Sequence, residues 1–186
     1  MRPFLPLFMA HLLRSLLGLL VAITLWASPV SASLTSDSYD GNIYALYAGN
    51  GSLVPPATTL QQSQAAGRTS VLVFYLDDSS TSKAFAPAVS ELQRLWGRAV
   101  DLMPITTDAL QGRKPAGQTD PAKYWHGRIP QVVVLDGQGH VLLDEDGQVS
   151  LQAINAAVSK ATGLPAPEGV STTLSFNELN TEVQTR

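Results

Sequence analysis

Five consecutive residues, Ser79-Ser80-Thr81-Ser82-Lys83, gather four hydroxyls and one amine, and Asp77-Asp78 immediately precede them. Ser80 and Lys83 have the S-x-x-K spacing in which a lysine activates a serine for attack on an acyl group. That chemistry would make the chain an exported serine-dependent hydrolase or acyltransferase using Ser79, Ser80 or Lys83. The companion S-D-N and K-T-G elements are absent and the domain is small for such an enzyme, so the motif lacks its structural context. A plainer use of the same residues is structural. Hydroxyls at a helix start accept bonds from unpaired backbone N–H groups, and Asp77 and Asp78 suit the positive end of the helix dipole.

Other residues able to do chemistry are few. The chain has no cysteine, so it has no thiolate, disulfide or sulfur ligand. Asp77, Asp78 and His126 lack any standard metal-ligand spacing, so neither metal nor cofactor is expected. His140 falls at a hairpin tip and reads as surface. His126 lies beside Trp125, and there two readings stay open: Trp125 anchors a partner at a groove edge, or it covers the end of a sheet. Asp144-Glu145-Asp146 reads as a solvated turn, and Gly137-Gln138-Gly139 as a hairpin turn rather than a nucleotide loop.

The elements that must position these residues follow from patterning. Ile43 to Tyr47 reads as a short first strand closed by Gly49-Asn50-Gly51, and Thr59 to Ala66 as a brief helix. Ser70 to Leu76 is a continuous apolar run, the mark of a central strand buried on both faces. Phe85, Val89, Leu92 and Trp96 share one stripe, which predicts a helix over Ser82 to Trp96. Val100 to Thr106 is a further strand, Gln111 to Pro121 an exposed loop, and Pro121 to Trp125 a short helix. Gln131 to Leu135 and His140 to Leu143 form a hairpin, and Ser150 caps a last helix ending at Gly163. The order predicts an α/β fold, a central mixed sheet with helices on both faces.

The domain occupies residues 43–163, after a polar linker at 33–42 and before a Pro-, Ser-, Thr- and Glu-containing tail at 164–186. Residues 1–32 resemble an export signal: Arg2, His11 and Arg14, an apolar run from Ser15 to Trp26, then the small residues Val30-Ser31-Ala32. The 12-residue run is short against the roughly 20 needed to span a bilayer, which favours a cleaved signal. A retained membrane anchor stays open, because no charge occurs between Ser15 and Ser36. Without residues 1–32 the chain carries 10 basic and 15 acidic residues, a net charge of −5. Such a chain offers no cationic face for nucleic acid.

The run Val71 to Pro87 resembles the active-site strand and helix of a thioredoxin, with Lys83, Ala86 and Pro87 where that family commonly has Lys, Ala and Pro. Gly127-Arg128-Ile129-Pro130 before an apolar strand resembles its cis-proline loop. The departures decide the chemistry. Ser79 and Ser82 stand in place of both redox cysteines, Val73 in place of the buried acid, and Asp78 in place of the tryptophan before the first cysteine. A serine hydroxyl can neither attack a disulfide nor form one, so oxidoreductase activity is rejected.

Over nearly its whole length the sequence also resembles the cyanobacterial thylakoid membrane photosystem I accumulation factor family. The export segment, Ile43 to Tyr47, Thr69 to Trp96 and Tyr124 to Pro130 carry that likeness. It implies a non-catalytic thioredoxin-like factor that supports photosystem I accumulation in the thylakoid membrane, on its lumenal side, by contact with photosystem I subunits or assembly intermediates. The contact residues would be Asp77, Asp78, Ser79, Ser80, Ser82, Trp125, His126, Ile129 and Pro130, holding an extended segment by backbone hydrogen bonds. A generic periplasmic binding module is the remaining alternative.

Overall fold

The computed structural model describes residues 9, 11, 13–18 and 33–167. The chain divides into two units, residues 1–32 and 33–186. Of the first, residues 9, 11 and 13–18 are helical. Among the described residues no helix is long and apolar enough to cross a membrane. The rest of the apolar run, the Val30-Ser31-Ala32 junction and the tail from residue 168 lie outside the described residues.

Among its described residues the second unit is built on four strands: β1 (Thr69–Tyr75), β2 (Val100–Thr106), β3 (Gln131–Leu135) and β4 (Val141–Asp146). Their order across the sheet is β2-β1-β3-β4, with β1 parallel to β2 and antiparallel to β3, and β3 antiparallel to β4. All seven residues of β1 are buried, as the continuous apolar run requires of a strand covered on both faces. One face carries Val71, Val73, Tyr75, Val132 and Val134 under three helices, α1 (Ile43–Ala48), α3 (Ser80–Trp96) and α4 (Leu151–Thr162). The other carries Leu72, Phe74, Met103, Val133 and Leu135 under α2 (Leu60–Ala65) and the 3-10 turns Asp108–Leu110 and Pro121–Lys123. A mixed sheet with helices on both faces is the expected α/β class. The parallel β1-α3-β2 unit followed by an antiparallel hairpin and a helix gives the thioredoxin-like order.

Three local readings need correction. Ile43 to Tyr47 is a helix, not a strand. Asn42 caps it, its side chain accepting from the Tyr44 and Ala45 amides, and left-handed Gly49 (φ 61°) closes it. Ile43, Tyr44 and Tyr47 bury at helical spacing, so paired caps and one packed face override the strand preference of Ile and Tyr. Helix α3 begins at Ser80 rather than Ser82, because Ser79 serves as its cap. Asp144-Glu145-Asp146 belongs to β4 rather than to a turn. β4 lies at the sheet edge, where water replaces a second neighbouring strand and its residues are largely exposed, so its acidic residues fit a strand.

Helix α3 runs on through Pro87, which has no N–H to return to Lys83. Its far end is tied to α4 by a buried bond from the Trp96 indole to Asn155, 2.7 Å. The Ile129–Pro130 bond is cis, as the loop motif suggests, and so is Val54–Pro55.

Candidate functional site

The turn after β1 uses its hydroxyls on its own backbone. The Ser79 side chain accepts from the Ser82 amide (3.3 Å), capping α3, and also meets the Thr81 hydroxyl (2.8 Å). Ser82 is buried, and its hydroxyl accepts from the Leu76 amide (3.2 Å), closing the strand-to-helix turn from inside. Ser80 donates its amide to Asp37 (2.7 Å), and that bond holds the Asp37 carboxyl low. Asp77 is partly buried and takes the Ile43 amide at 3.5 Å. Burial pushes its carboxyl up against the pull of that bond, and Asp108 and Asp78 add to the rise. Asp78 stays exposed.

The cis-proline loop lies at the same end of the sheet. Gln131, the first residue of β3, stands opposite Phe74 near the end of β1. Two consecutive residues bridge the loop and the turn: Gly147 donates its amide to the Pro130 carbonyl (2.7 Å), and Gln148 donates its side-chain amide to the Thr81 carbonyl (2.8 Å). The expected residues Asp77 to Ser82 and Ile129-Pro130 are thus brought together. Pro130 is buried and Ile129 partly so.

Trp125 is partly buried and packs on Phe74, ring centroids 5.6 Å apart, on the face away from α3. His126 is exposed and its Nε2 lies 2.8 Å from Asp144. That pair lines an open pocket of about 360 Å³ with Gln131, Glu145 and Asp146. Gln131, which the motif reading passed over, organises this corner. Only 1% exposed, it donates to the Tyr124 carbonyl and to Asp144 (2.7 Å each) and accepts from the His126 amide (3.1 Å). Among the described residues no group of three or more His, Asp or Glu side chains is placed to hold a metal ion.

Lys83 is the residue that sequence reasoning placed least well. It is fully buried, and its ammonium donates to the carbonyls of Ser33 (3.3 Å), Ser36 (2.9 Å) and Ser38 (2.7 Å) and to Asp40 Oδ2 (2.5 Å). Asp40 also accepts from the Tyr47 hydroxyl (2.5 Å) and the Ser33 amide (3.4 Å). The Lys83 ammonium, with the Tyr47 hydroxyl, holds the Asp40 carboxyl well below the usual carboxylate range. Burial and the neighbouring carboxylate push the Tyr47 phenol up to about 12. The polar segment 33–40 is therefore wrapped round the start of α3 as a strap. With its protons given to strap acceptors, Lys83 has no free geometry as a base for Ser80.

Comparison with known proteins adds the following. No family model matches the chain. The thylakoid membrane protein slr1796 of Synechocystis sp. is 36% identical over 155 residues, covering 82% of this chain and 77% of that protein. Among solved structures, an exposed lipoprotein thioredoxin (Etrx1) of Streptococcus pneumoniae is 15% identical with a TM-score of 0.44, covering 54% of this chain and 89% of that one. A malarial protein is 18% identical with a TM-score of 0.40, covering 50% of this chain and 97% of that one.

Proposed function

Because the chain belongs to the family of the thylakoid membrane protein slr1796, we propose that it is a non-catalytic, thioredoxin-like thylakoid factor that supports photosystem I accumulation by protein contact. The observation that carries this is the fate of Ser79 and Ser82. At the two positions where the resemblance places redox sulfurs, the hydroxyls are spent on the Ser82 and Leu76 amides, beside an intact cis-proline loop. The frame that presents a partner to a thioredoxin's reactive pair is kept, and the pair itself is replaced by backbone caps. The turn and the loop lie side by side, an arrangement suited to capture of an extended segment, which needs no sulfur chemistry. Photosystem I subunits or their assembly intermediates are the proposed partners, and the lumenal side of the thylakoid membrane the proposed location.

Low-temperature chlorophyll fluorescence of a strain lacking the gene tests this. Photosystem I emission should fall relative to photosystem II emission. An unchanged ratio would remove the photosystem I role.

A further inference from the structure

The strap fixes where the domain meets the chain before it. Ser33 is held at both its amide and its carbonyl, by Asp40 and Lys83. The apolar run of the sequence ends at Trp26, so only residues 27–32 separate it from a pinned point on the domain. Six residues reach about 20 Å at full stretch. The strap and α1 are thus the part of the domain that follows the apolar run most closely along the chain.

The composition of this part of the domain fits a lipid surface. Residues 33–48 contain two charged side chains: Asp40 is bonded inward to Lys83, and Asp37, itself exposed, accepts from the Ser80 amide. From Gly41 to Gly67 the sequence carries no charge at all. Yet among the described residues of the domain, three of the five exposed large apolar side chains lie here: Leu34 (36% exposed), Tyr39 (74%) and Leu46 (47%). The other two lie elsewhere: Val141 opens β4 and Leu164 follows α4. Leucines and a tyrosine on a segment with few charges match the apolar and amphipathic side chains that settle at the boundary between headgroups and acyl chains.

We propose that the strap and α1, through Leu34, Tyr39 and Leu46, form the face on which this domain rests against the membrane surface. The inference rests on the membrane association proposed above. It assigns a role to the strap beyond closing the start of α3: Lys83 holds the membrane-facing segment in shape from beneath.

A cysteine-free chain allows a direct test. Tyr39→Cys, Leu46→Cys and, as a control on the β3–β4 turn, Gln138→Cys are each labelled with an environment-sensitive fluorophore in the full chain. Each is then mixed with phosphatidylcholine vesicles whose acyl chains carry a spin-label quencher. The chain should float with the vesicles, and the probes at 39 and 46 should shift to the blue and be quenched while that at 138 does neither. A chain that floats with all three probes alike overturns the face and leaves membrane association standing. A chain that does not float overturns both. Shielding of 39 and 46 that grows with protein concentration in the absence of vesicles would assign the face to a second copy of the chain and overturn the lipid surface.

Discussion

Lys83 illustrates how one side chain can settle the use of a whole segment. A buried ammonium is costly unless its donors are satisfied, and here four acceptors from residues 33–40 surround it. Lys83→Met should leave α3 intact, since Met is a good helix former, but release the strap. Hydrogen exchange read by mass spectrometry should show lost protection at 33–40 with β1 and β3 unchanged, whereas unchanged protection of 33–40 would contradict the cradle. The pH limits of the strap follow from the shifts. Asp40 is lowered in the fold, so its contribution is whole above roughly pH 4 and fades only as pH falls through its depressed value. Tyr47 is raised to about 12, so its contribution is whole below roughly pH 10 and is lost as pH rises towards 12. NMR shifts of Ser33 to Asp40 should therefore hold steady between those limits, and Tyr47→Phe should abolish the alkaline change. An alkaline transition that survives in Tyr47→Phe would place its origin elsewhere. The serines were legible as caps because a cap is a local motif. The burial of Lys83 was not, because three of its four acceptors are backbone carbonyls about 45 to 50 residues upstream, which no residue type announces.

At the level of elements, the long apolar strand and the two longer helices were readable because periodicity and caps agree there. The disagreements arose where an element is short or at an edge. In α1 a six-residue segment of Ile, Tyr, Ala and Leu offered either period, and only the Asn42 and Gly49 caps decide it. In β4 solvent on one side hides the strand behind acidic residues. Three side-chain bonds within and between elements carry measurable energy. Asn155→Leu would leave the Trp96 indole N–H buried without an acceptor and should cost about 1–3 kcal/mol in denaturant unfolding. A loss much below that would mean that water or another acceptor replaces Asn155. Within the candidate site, Ser79→Ala should cost about 1 kcal/mol as a lost helix cap. Ser82→Ala should cost about 1–3 kcal/mol, because it strands the Leu76 amide. If neither changes the unfolding midpoint, the hydroxyls are not structural and the serine cluster needs another explanation.

For the whole molecule, the thioredoxin-like order could be read from two motifs in sequence, the Val71 to Pro87 run and the Gly127 to Pro130 loop, and the sheet brings both to one end. The surface that a partner would touch was less legible. It is assembled from segments far apart, with Gly147 and Gln148 supplying bridges that no motif contains. The strap adds a second constraint, since Asp37 already occupies the Ser80 amide that a partner could otherwise take. The proposal that the protein works by contact rather than by hydroxyl chemistry is tested most directly by complementation. Low-temperature fluorescence is compared between a strain lacking the gene and the same strain given back either the unchanged chain or Ser80→Ala. The expected result is a reduced photosystem I to photosystem II ratio in the deletion and equal, full restoration by both chains. A folded Ser80→Ala chain that leaves the ratio at the deletion level would contradict a role by contact alone.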